Sequence, residues 1–550
     1  MMTRAEGRLY ALAAIAVASL ALLAHARTYD FVCDDAFITL RFARNFAATG
    51  APVYNIGERV EGYTSFLWMA LTALEMRLGL GPERAVLLLG SASGVFIMAA
   101  TWLLWRRVEP TRRAAGVLVL ASVAVSAPVA AWTLGGLETP LFVALVTLSI
   151  ALAARAAIHG RAASGFGVGL VLAAATLARP EGAALTAIVT VVCAVFARKR
   201  RGGLVMVAAL VVGWLVVMGP FEAWRWRYYG FPLPNTFYVK TSGGGGLFAN
   251  GIKYIQLCLR EMGEPLTQIL ILALFVPART LAMDTDGRSR VRCAALWMMR
   301  GFVLLLIPYV ASVGGDFLDL YRFLAPMFPL VAVAVGHAIL RIIGLWRPGL
   351  PRVAAAISIL GVTLAPHAWR QLAVGERARH VNEPRRERLS IEPIGWTRLY
   401  ALRWAATGRW IAAHAQPGDW MVTGAAGAMP FYAGREVNNL DTLGLCDAWV
   451  SHHGNVIGTR PGHQREATEE YMLSKKPVFL LFGDHIELQN KPPRRDNGWE
   501  NKGYVWVVAT VDADRYGAPN TFFHYMLVRI DRAQKMIDAD DVQTALGMPE

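Results

Sequence analysis

Asp34 and Asp35 stand side by side just beyond the first long apolar run of the chain. Keeping a carboxylate ionised within a few residues of the hydrocarbon boundary is costly, which makes such groups functional candidates by default. What such a pair offers is proton transfer with a group presented at the membrane surface. One carboxylate accepts the proton while the other orients a partner or holds a cation. The competing reading is structural, with both acids ending a transmembrane helix in polar surroundings. In an extended segment adjacent side chains point to opposite sides, so one acid would face the reacting groups and the other the protein.

The elements around the pair are those of a membrane protein. Of 550 residues, 55% are hydrophobic and 17% charged, where a soluble chain carries about a quarter charged. The mean hydropathy is +0.38. A net charge of +15 would suit a nucleic-acid partner if the arginines formed one face. Instead they fall in short groups between apolar runs, as in cytoplasmic loops under the positive-inside rule. The basicity reports topology, and no nucleic acid is implied. Cys33, Cys193, Cys258, Cys293 and Cys446 are odd in number and scattered, giving neither a disulfide framework nor metal-ligand spacing.

About eleven transmembrane helices are expected, N-in and C-out. The first span, near 9–26, follows the basic Arg4, and Ala24-His25-Ala26 resembles a signal-peptidase site. Asp34 lies outside whether or not residues 1–26 are retained. Spans near 84–105, 114–134, 139–154, 163–178, 182–197, 203–221, 265–279, 294–312, 322–340 and 353–369 follow. Every inner loop so defined is basic: Arg106-Arg107, Arg155 with Arg161, Arg198-Lys199-Arg200-Arg201, Arg279 with Arg288, and Arg341 with Arg347. Residues 63–80 are apolar enough to span, but a span there reverses every later loop. They are therefore placed as an interfacial or re-entrant helix.

The outer loops carry the candidates. In the first, 27–83, Phe37–Phe46 sets apolar residues at helical spacing with Arg41 and Arg44 between them, an amphipathic helix lying in the interface. Tyr54–Arg59 reads as a turn, and Gly243–Gly246 as a flexible loop. Beyond residue 370 an arginine-rich linker (Arg377, Arg379, Arg385, Arg386, Arg388) leads into short apolar runs broken by Gly and Pro. Val478–Phe482, Tyr504–Val508 and Tyr525–Ile530 read as strands, 396–415 and 464–474 as helices. The expected fold is a polytopic α-helical membrane domain over 1–369, joined to an extracytoplasmic α/β domain over 370–550.

At this point a family resemblance emerges. Asp34-Asp35-Ala36-Phe37-Ile38-Thr39-Leu40-Arg41, followed by Glu58-Arg59-Val60-Glu61-Gly62-Tyr63-Thr64, resembles the first outer loop of GT-C glycosyltransferases, polytopic enzymes that use polyprenyl-phosphate sugars. The closer resemblance is to the terminal β-(1→2)-arabinofuranosyltransferases of the mycobacterial cell wall. Ala178-Arg179-Pro180-Glu181-Gly182, Leu233–Lys240, Gly314-Gly315-Asp316-Phe317 with Arg322-Phe323, and Asp441–Leu445 fit the same group in order. The resemblance implies a GT-C fold in a bacterial plasma membrane, with the active site extracytoplasmic. It also implies a polyprenyl-phosphate sugar donor, arabinofuranose as the leading sugar, and a cell-envelope glycan acceptor. It makes the first acid of the pair, Asp34, the general base, with Asp35 assisting. The C-terminal region is more compact than in that comparison, which bears most on the acceptor.

A phosphate departs as a stabilised anion, so such a reaction needs no general acid but does need cations. Arg179 at the outer end of a span is the first phosphate-clamp candidate, Lys240 the second and Arg322 the third. The plain alternatives are a snorkelling helix-end arginine for Arg179, a solvated loop lysine for Lys240, and for Arg322 a structural pair with Asp316, the favoured reading there. Glu58, Arg59 and Glu61 are read first as an ion-pair network bracing the loop. Arg41, Tyr63 and Tyr238 are carried as substrate-binding or site-supporting residues. Asn235 either hydrogen-bonds a sugar hydroxyl or forms an Asx turn. Asp441 either reaches the site from the C-terminal domain or is a turn carboxylate.

Trp224, Trp226, Tyr228 and Tyr229 read as an interfacial belt. His452, His453 and His463 lack a further-ligand pattern, so no metal site is assigned and a divalent cation stays open as cofactor. Two other function classes remain. A transporter or flippase for a lipid-linked sugar would place ionisable groups near the midplane, whereas these spans are nearly free of acids. The other is a non-catalytic glycan-binding membrane protein.

Overall fold

The computed structural model describes residues 3–198, 200–240, 246–263, 287–344, 349–381, 391–458, 460, 462–481, 485–493, 496–537 and 542–544. The expected span at 265–279 with Arg279, most of the Gly243–Gly246 loop, and Lys199, Arg347, Arg385, Arg386, Arg388 and Phe482 lie outside the described residues. In chain order the helices begin α1 (Arg4–Arg27), α2 (Asp34–Thr49), α3 (Phe66–Arg77), α4 (Pro82–Val108), α5 (Arg113–Ala124), α6 (Ala127–Leu134), α7 (Thr139–His159), α8 (Ala162–Ala178), α9 (Glu181–Ala197), α10 (Gly203–Tyr229) and α11 (Asn235–Lys240).

Among the described residues, five helices are long and apolar enough to cross a bilayer: α1, α4, α7, α10 and Gly287–Ser312. A sixth span arises if α5 and α6, bent by 63° at their junction, act as one. Helices α8, α9 and Met327–Ile343 are apolar but have 17 residues each, the lower limit of about 17 for a crossing. Helix α3 has 12 residues, about 18 Å of rise against a hydrocarbon core of about 30 Å, so it does not span. Helix α7 is buried by its neighbours along most of its length, whereas α1 and α10 are largely exposed, as an inner helix and two lipid-facing ones would be.

Local chemistry sets several boundaries. Thr3 and Glu6 form a reciprocal capping box at the start of α1. Helix α2 opens on its two acids, which complement the dipole of a helix N-terminus. It closes on Gly50 in the left-handed conformation (φ 76°). The acids are thus helical rather than extended. Nor is α2 an interfacial helix. Residues from Ala36 to Asn45 are nearly all buried, Arg41 included, because α3 covers one side and the C-terminal domain the other.

That domain carries a mixed sheet. The strands are β1 (Trp420–Thr423), β2 (Asn438–Asp441), β3 (Asn455–Val456), β4 (Arg465–Glu466), β5 (Phe479–Leu481), β6 (Ile486–Glu487), β7 (Tyr504–Val511), β8 (Phe522–Arg529) and β9 (Val542–Thr544). Seven of them form one sheet in the order β2-β1-β5-β8-β7-β9, with β6 beside β8. The β1–β2 and β1–β5 pairs are parallel, while β5–β8 and β7–β8 are antiparallel. Helix Ile394–His414 packs Trp410 and Ile411 onto this sheet. The helix expected over 464–474 is shorter, Glu469–Ser474, because Arg465–Glu466 pairs as a strand with Asn455–Val456.

Helices α8 and α10 approach so closely that glycines line the crossing, as small residues do where membrane helices pack. A Cβ on Gly169 would lie 2.1 Å from the Leu210 carbonyl, while one on Gly167 would meet nothing within 4 Å. Gly169→Ala should therefore destabilise the detergent-purified chain by about 1–3 kcal/mol, the usual range for overpacking. Gly167→Ala should leave its thermal midpoint unchanged. Equal midpoints for the two variants would contradict this crossing.

Candidate active site

The first turn of α2 sits between the two modules, and its acids face different neighbours. Asp34 Oδ1 accepts a hydrogen bond from the Ala428 backbone N–H at 2.7 Å. At Gly427 a Cβ would fall 2.1 Å from the Asp34 carbonyl and 2.5 Å from Asp34 Oδ2. Only glycine lets the backbone entering helix Ala428–Ala433 close over the carboxyl. Burial raises the Asp34 pKa to about 7, against the opposing pull of the Ala428 N–H. Asp35 has no hydrogen-bond or ion-pair partner among the described residues. Burial raises its pKa too, while Arg322 and then Lys240 pull it down.

Three cations and three further acids complete the cluster. Arg322 grips Asp316 with two hydrogen bonds, Nε to Oδ2 at 2.8 Å and Nη2 to Oδ1 at 3.2 Å. Its guanidinium lies 5.3 Å from the Trp132 ring and 5.2 Å from that of Phe323. Burial opposes the Arg322 charge, but Asp316 and then Asp35 hold its pKa above the usual arginine value. Lys240, the last residue of α11, makes no ion pair among the described residues. Burial lowers its pKa and Arg322 lowers it further, with Asp35 and Asp316 opposing. Arg179 is held between Glu138 at 2.9 Å and Glu181 at 2.8 Å, with Phe323 against its face.

Asp35, Lys240, Arg322, Asp316 and Arg179, drawn from four distant stretches of sequence, thus share one electrostatic neighbourhood. The geometry gives Arg179 two carboxylates, so it is neither a free phosphate clamp nor a snorkelling arginine. Arg322 and Asp316 form the bidentate pair. Other candidates sit elsewhere. Glu58, Arg59 and Glu61 do not brace one another: Glu58 meets Lys475 at 3.4 Å, Arg59 lies over the Tyr228 ring, and Glu61 pairs with Arg225 at 2.9 Å. Glu58 ties the first loop to the C-terminal domain, while Arg59 and Glu61 both tie it to α10. Tyr63 and Tyr229 share a hydroxyl contact at 2.9 Å, and Tyr238 packs on His452.

Asn235 neither forms an Asx turn nor is open to a sugar. Its Nδ2 donates to the carbonyls of Gly444, Leu445 and Asp447, and its Oδ1 accepts from Ser451. Asp441 is a turn carboxylate, accepting from Leu443 N at 3.0 Å and Cys446 N at 2.8 Å; burial raises its pKa to about 7. Arg41 is not exposed to substrate either, since it binds backbone carbonyls of the C-terminal domain. Glu138, Trp132 and Gly427 were not among the candidates. The available signal for Glu138 was an acid in the short Gly135-Gly136-Leu137-Glu138 turn between two apolar runs. Among the described residues, no three His, Cys, Asp or Glu side chains converge as metal ligands do.

Comparisons with known proteins agree on the architecture. A family model described as a domain of unknown function (DUF8728) matches residues 377–527. The terminal β-(1→2)-arabinofuranosyltransferase of Mycobacterium tuberculosis is 28% identical over 336 residues, 55% of this chain and 52% of that one. Its Corynebacterium glutamicum counterpart is 27% identical over 337 residues, 55% and 47%. The chain spans about half the length of the curated relatives it matches. Among solved structures, apo ArnT from Cupriavidus metallidurans aligns with a TM-score of 0.55 at 14% identity, over 96% of this chain and 98% of that one. The oligosaccharyltransferase AglB from Archaeoglobus fulgidus, in complex with an inhibitory peptide and a dolichol-phosphate, aligns at 0.50 and 11% identity, over 79% and 65%. The fold is that of the GT-C glycosyltransferases, a multi-pass membrane region carrying a C-terminal mixed-sheet domain, and the chain is a distant homologue of the arabinofuranosyltransferases.

The seat of Asp34 makes a stability prediction. Its folded pKa of about 7 lies above the ordinary 3.8, so its contribution is fully present below the ordinary value and lost as pH rises through about 7. Asp34→Asn keeps an oxygen for the Ala428 N–H and cannot ionise. The wild-type melting temperature should therefore fall relative to this variant between pH 5 and pH 8. Asp34→Ala leaves the N–H unpaired and should destabilise by about 1–3 kcal/mol. A pH-independent gap between wild type and Asp34→Asn in thermal melts would sink this assignment.

Proposed function

We propose that this protein transfers a sugar, arabinofuranose as the leading candidate, from a polyprenyl-phosphate donor to a cell-envelope glycan on the outer face of a bacterial plasma membrane. The observation that carries the reading is an unpaired, half-buried Asp35 facing an unpaired Lys240 and the Asp316-anchored Arg322. The kinship to arabinofuranosyltransferases and the fold shared with lipid-phosphate-binding structures support it. In this reading the chain has eleven spans, N-in and C-out, with residues 1–369 as the membrane domain and 370–550 outside.

The geometry favours a division of labour opposite to the one implied by the family resemblance. Asp34 has both carboxyl oxygens against the Gly427–Ala428 backbone, which suits a residue that positions the C-terminal domain. Asp35 has free lone pairs, which suits a base. Lys240 and Arg322 hold the donor phosphate, and Arg179, neutralised by Glu138 and Glu181, holds up that wall. An acceptor hydroxyl attacks the anomeric carbon as its proton passes to Asp35. The bond from that carbon to the phosphate oxygen breaks, and its electron pair leaves with the polyprenyl phosphate, whose growing charge the two cations stabilise.

Purified protein incubated with a panel of polyprenyl-phosphate sugars and an arabinan acceptor should consume one donor. Asp35→Asn should lower the rate by at least about 100-fold, the lower range for removing a general base. Asp34→Asn should retain most of it. The reverse pattern would return the base to Asp34, and no transfer from any donor would remove the enzymatic reading.

The same geometry sets the pH profile of transfer. Asp35 must be ionised and its pKa is raised, so the acid limb should lie above the ordinary carboxylate range. Lys240 must be protonated and its pKa is lowered, so the alkaline limb should lie below the ordinary 10.5. Lys240→Arg, which stays charged, should abolish or move only the alkaline limb. An acid limb within the ordinary carboxylate range together with an alkaline limb at the ordinary lysine value would contradict both assignments.

A further inference from the structure

Arg44, one turn beyond Arg41 on α2, is a half-buried cation whose main binding edge is empty. Its Nη1 donates to the Phe431 carbonyl at 2.9 Å, and the guanidinium lies 4.4 Å from the Phe431 ring. Its Nε and Nη2 are buried and have no hydrogen-bond partner. Those two nitrogens form the parallel fork with which arginine grips two oxygens at once. At three other arginines the same fork is filled by a carboxylate: Arg322 gives Nε and Nη2 to Asp316, Arg179 to Glu181 and Arg529 to Asp531. At Arg44 no carboxylate is present among the described residues.

The surrounding charge has the same sign. Arg41 and Arg435 are the charged groups acting on Arg44, and with burial they push its pKa down to about 10. Arg41 is already committed to carbonyls. Arg435 is half-buried and makes no ion pair among the described residues. Leaving buried donors unmade costs about 1–3 kcal/mol, more for charged groups, so a fork kept open beside a second free arginine fits a site whose partner is not part of the chain.

Its level in the molecule indicates what that partner is. Tyr432, next to Phe431, hydrogen-bonds Glu83 in the first turn of the candidate span α4. Arg77, at the end of α3, donates to the Ala47 carbonyl of α2 at 3.1 Å. The open fork therefore lies beside the end of a span, where lipid phosphates lie. We propose that Arg44, assisted by Arg435, binds a phosphate group at the membrane boundary, separately from the Asp35 cluster. Two phosphate oxygens would take the Nε and Nη2 fork, and Arg435 would supply the second positive charge.

The test uses the full chain in a neutral detergent, with thermal unfolding followed against short-chain phosphatidylglycerol, inorganic phosphate, or chloride at matched ionic strength. Saturable stabilisation by the phosphate compounds but not by chloride is expected. Arg44→Gln should weaken it by about tenfold or more, the size of a lost charge-assisted bidentate contact. Arg435→Gln should weaken it less. Arg44→Lys keeps the charge without the fork and should also weaken it, which covers the case that Arg44→Gln does not fold. Stabilisation by the lipid alone assigns the site to a headgroup, and equal stabilisation by inorganic phosphate assigns it to a soluble phosphate. No saturable stabilisation by either, or stabilisation unchanged in Arg435→Gln and Arg44→Lys, would overturn the proposal.

Discussion

Arg41 holds the molecule together at the place where its chemistry is set. Fully buried, it directs five hydrogen bonds to neutral acceptors: the carbonyls of Tyr54, Pro430, Gly434 and Val437, and the Asn55 side chain. A buried cation without a carboxylate is tolerable only when every donor is satisfied. Here carbonyl dipoles of the C-terminal domain take that part. Helix α2 cannot slide or turn against that domain without breaking several of these bonds together. The acids in the first turn of α2 therefore inherit their direction from a residue two turns away.

That constraint explains why two adjacent carboxylates behave differently. On a helix, neighbouring side chains diverge by about 100°, so fixing the rotation of α2 fixes which acid meets which module. Asp34 turns to the backbone amides that open helix Ala428–Ala433, and Asp35 turns to the cations of the membrane module. Gly427 permits the first contact and Asp316 shapes the second, since by pairing with Arg322 it keeps that arginine from collapsing onto Asp35.

Much of this was legible in the sequence wherever the cause is local. The acids at the start of α2, the apolar runs of α4, α7 and α10, and the alternating strands β7 and β8 all follow from neighbouring residues. The Arg322–Asp316 pair, six residues apart, could be expected for the same reason. What stayed hidden depends on partners far along the chain. Arg41 reads as the polar face of an amphipathic helix because three of its four carbonyl acceptors lie nearly four hundred residues away. Asn235 follows a proline and suggests a turn, yet its acceptors lie more than two hundred residues on. Strand β2 reads Asn438-Asn439-Leu440-Asp441, which no strand pattern selects; inside the fold Asn55, Tyr54 and turn amides pair with the Asn439 amide groups and the Asp441 carboxylate.

The charge balance of the cluster bears on why its base stands unpaired. Four carboxylates, Glu138, Glu181, Asp316 and Asp35, face three cations, Arg179, Arg322 and Lys240. With Asp35 ionised the cluster carries one negative charge, and with Asp35 protonated it is neutral. In the proposed reaction the departing phosphate gains negative charge as the acceptor proton reaches Asp35. The same proton movement that activates the hydroxyl thus removes a negative charge from beside the leaving group. An Asp35 locked to Arg322 by a direct ion pair would resist protonation and forfeit that coupling. Leaving it near the cations but bonded to none keeps it able to change charge state, which is what the step requires.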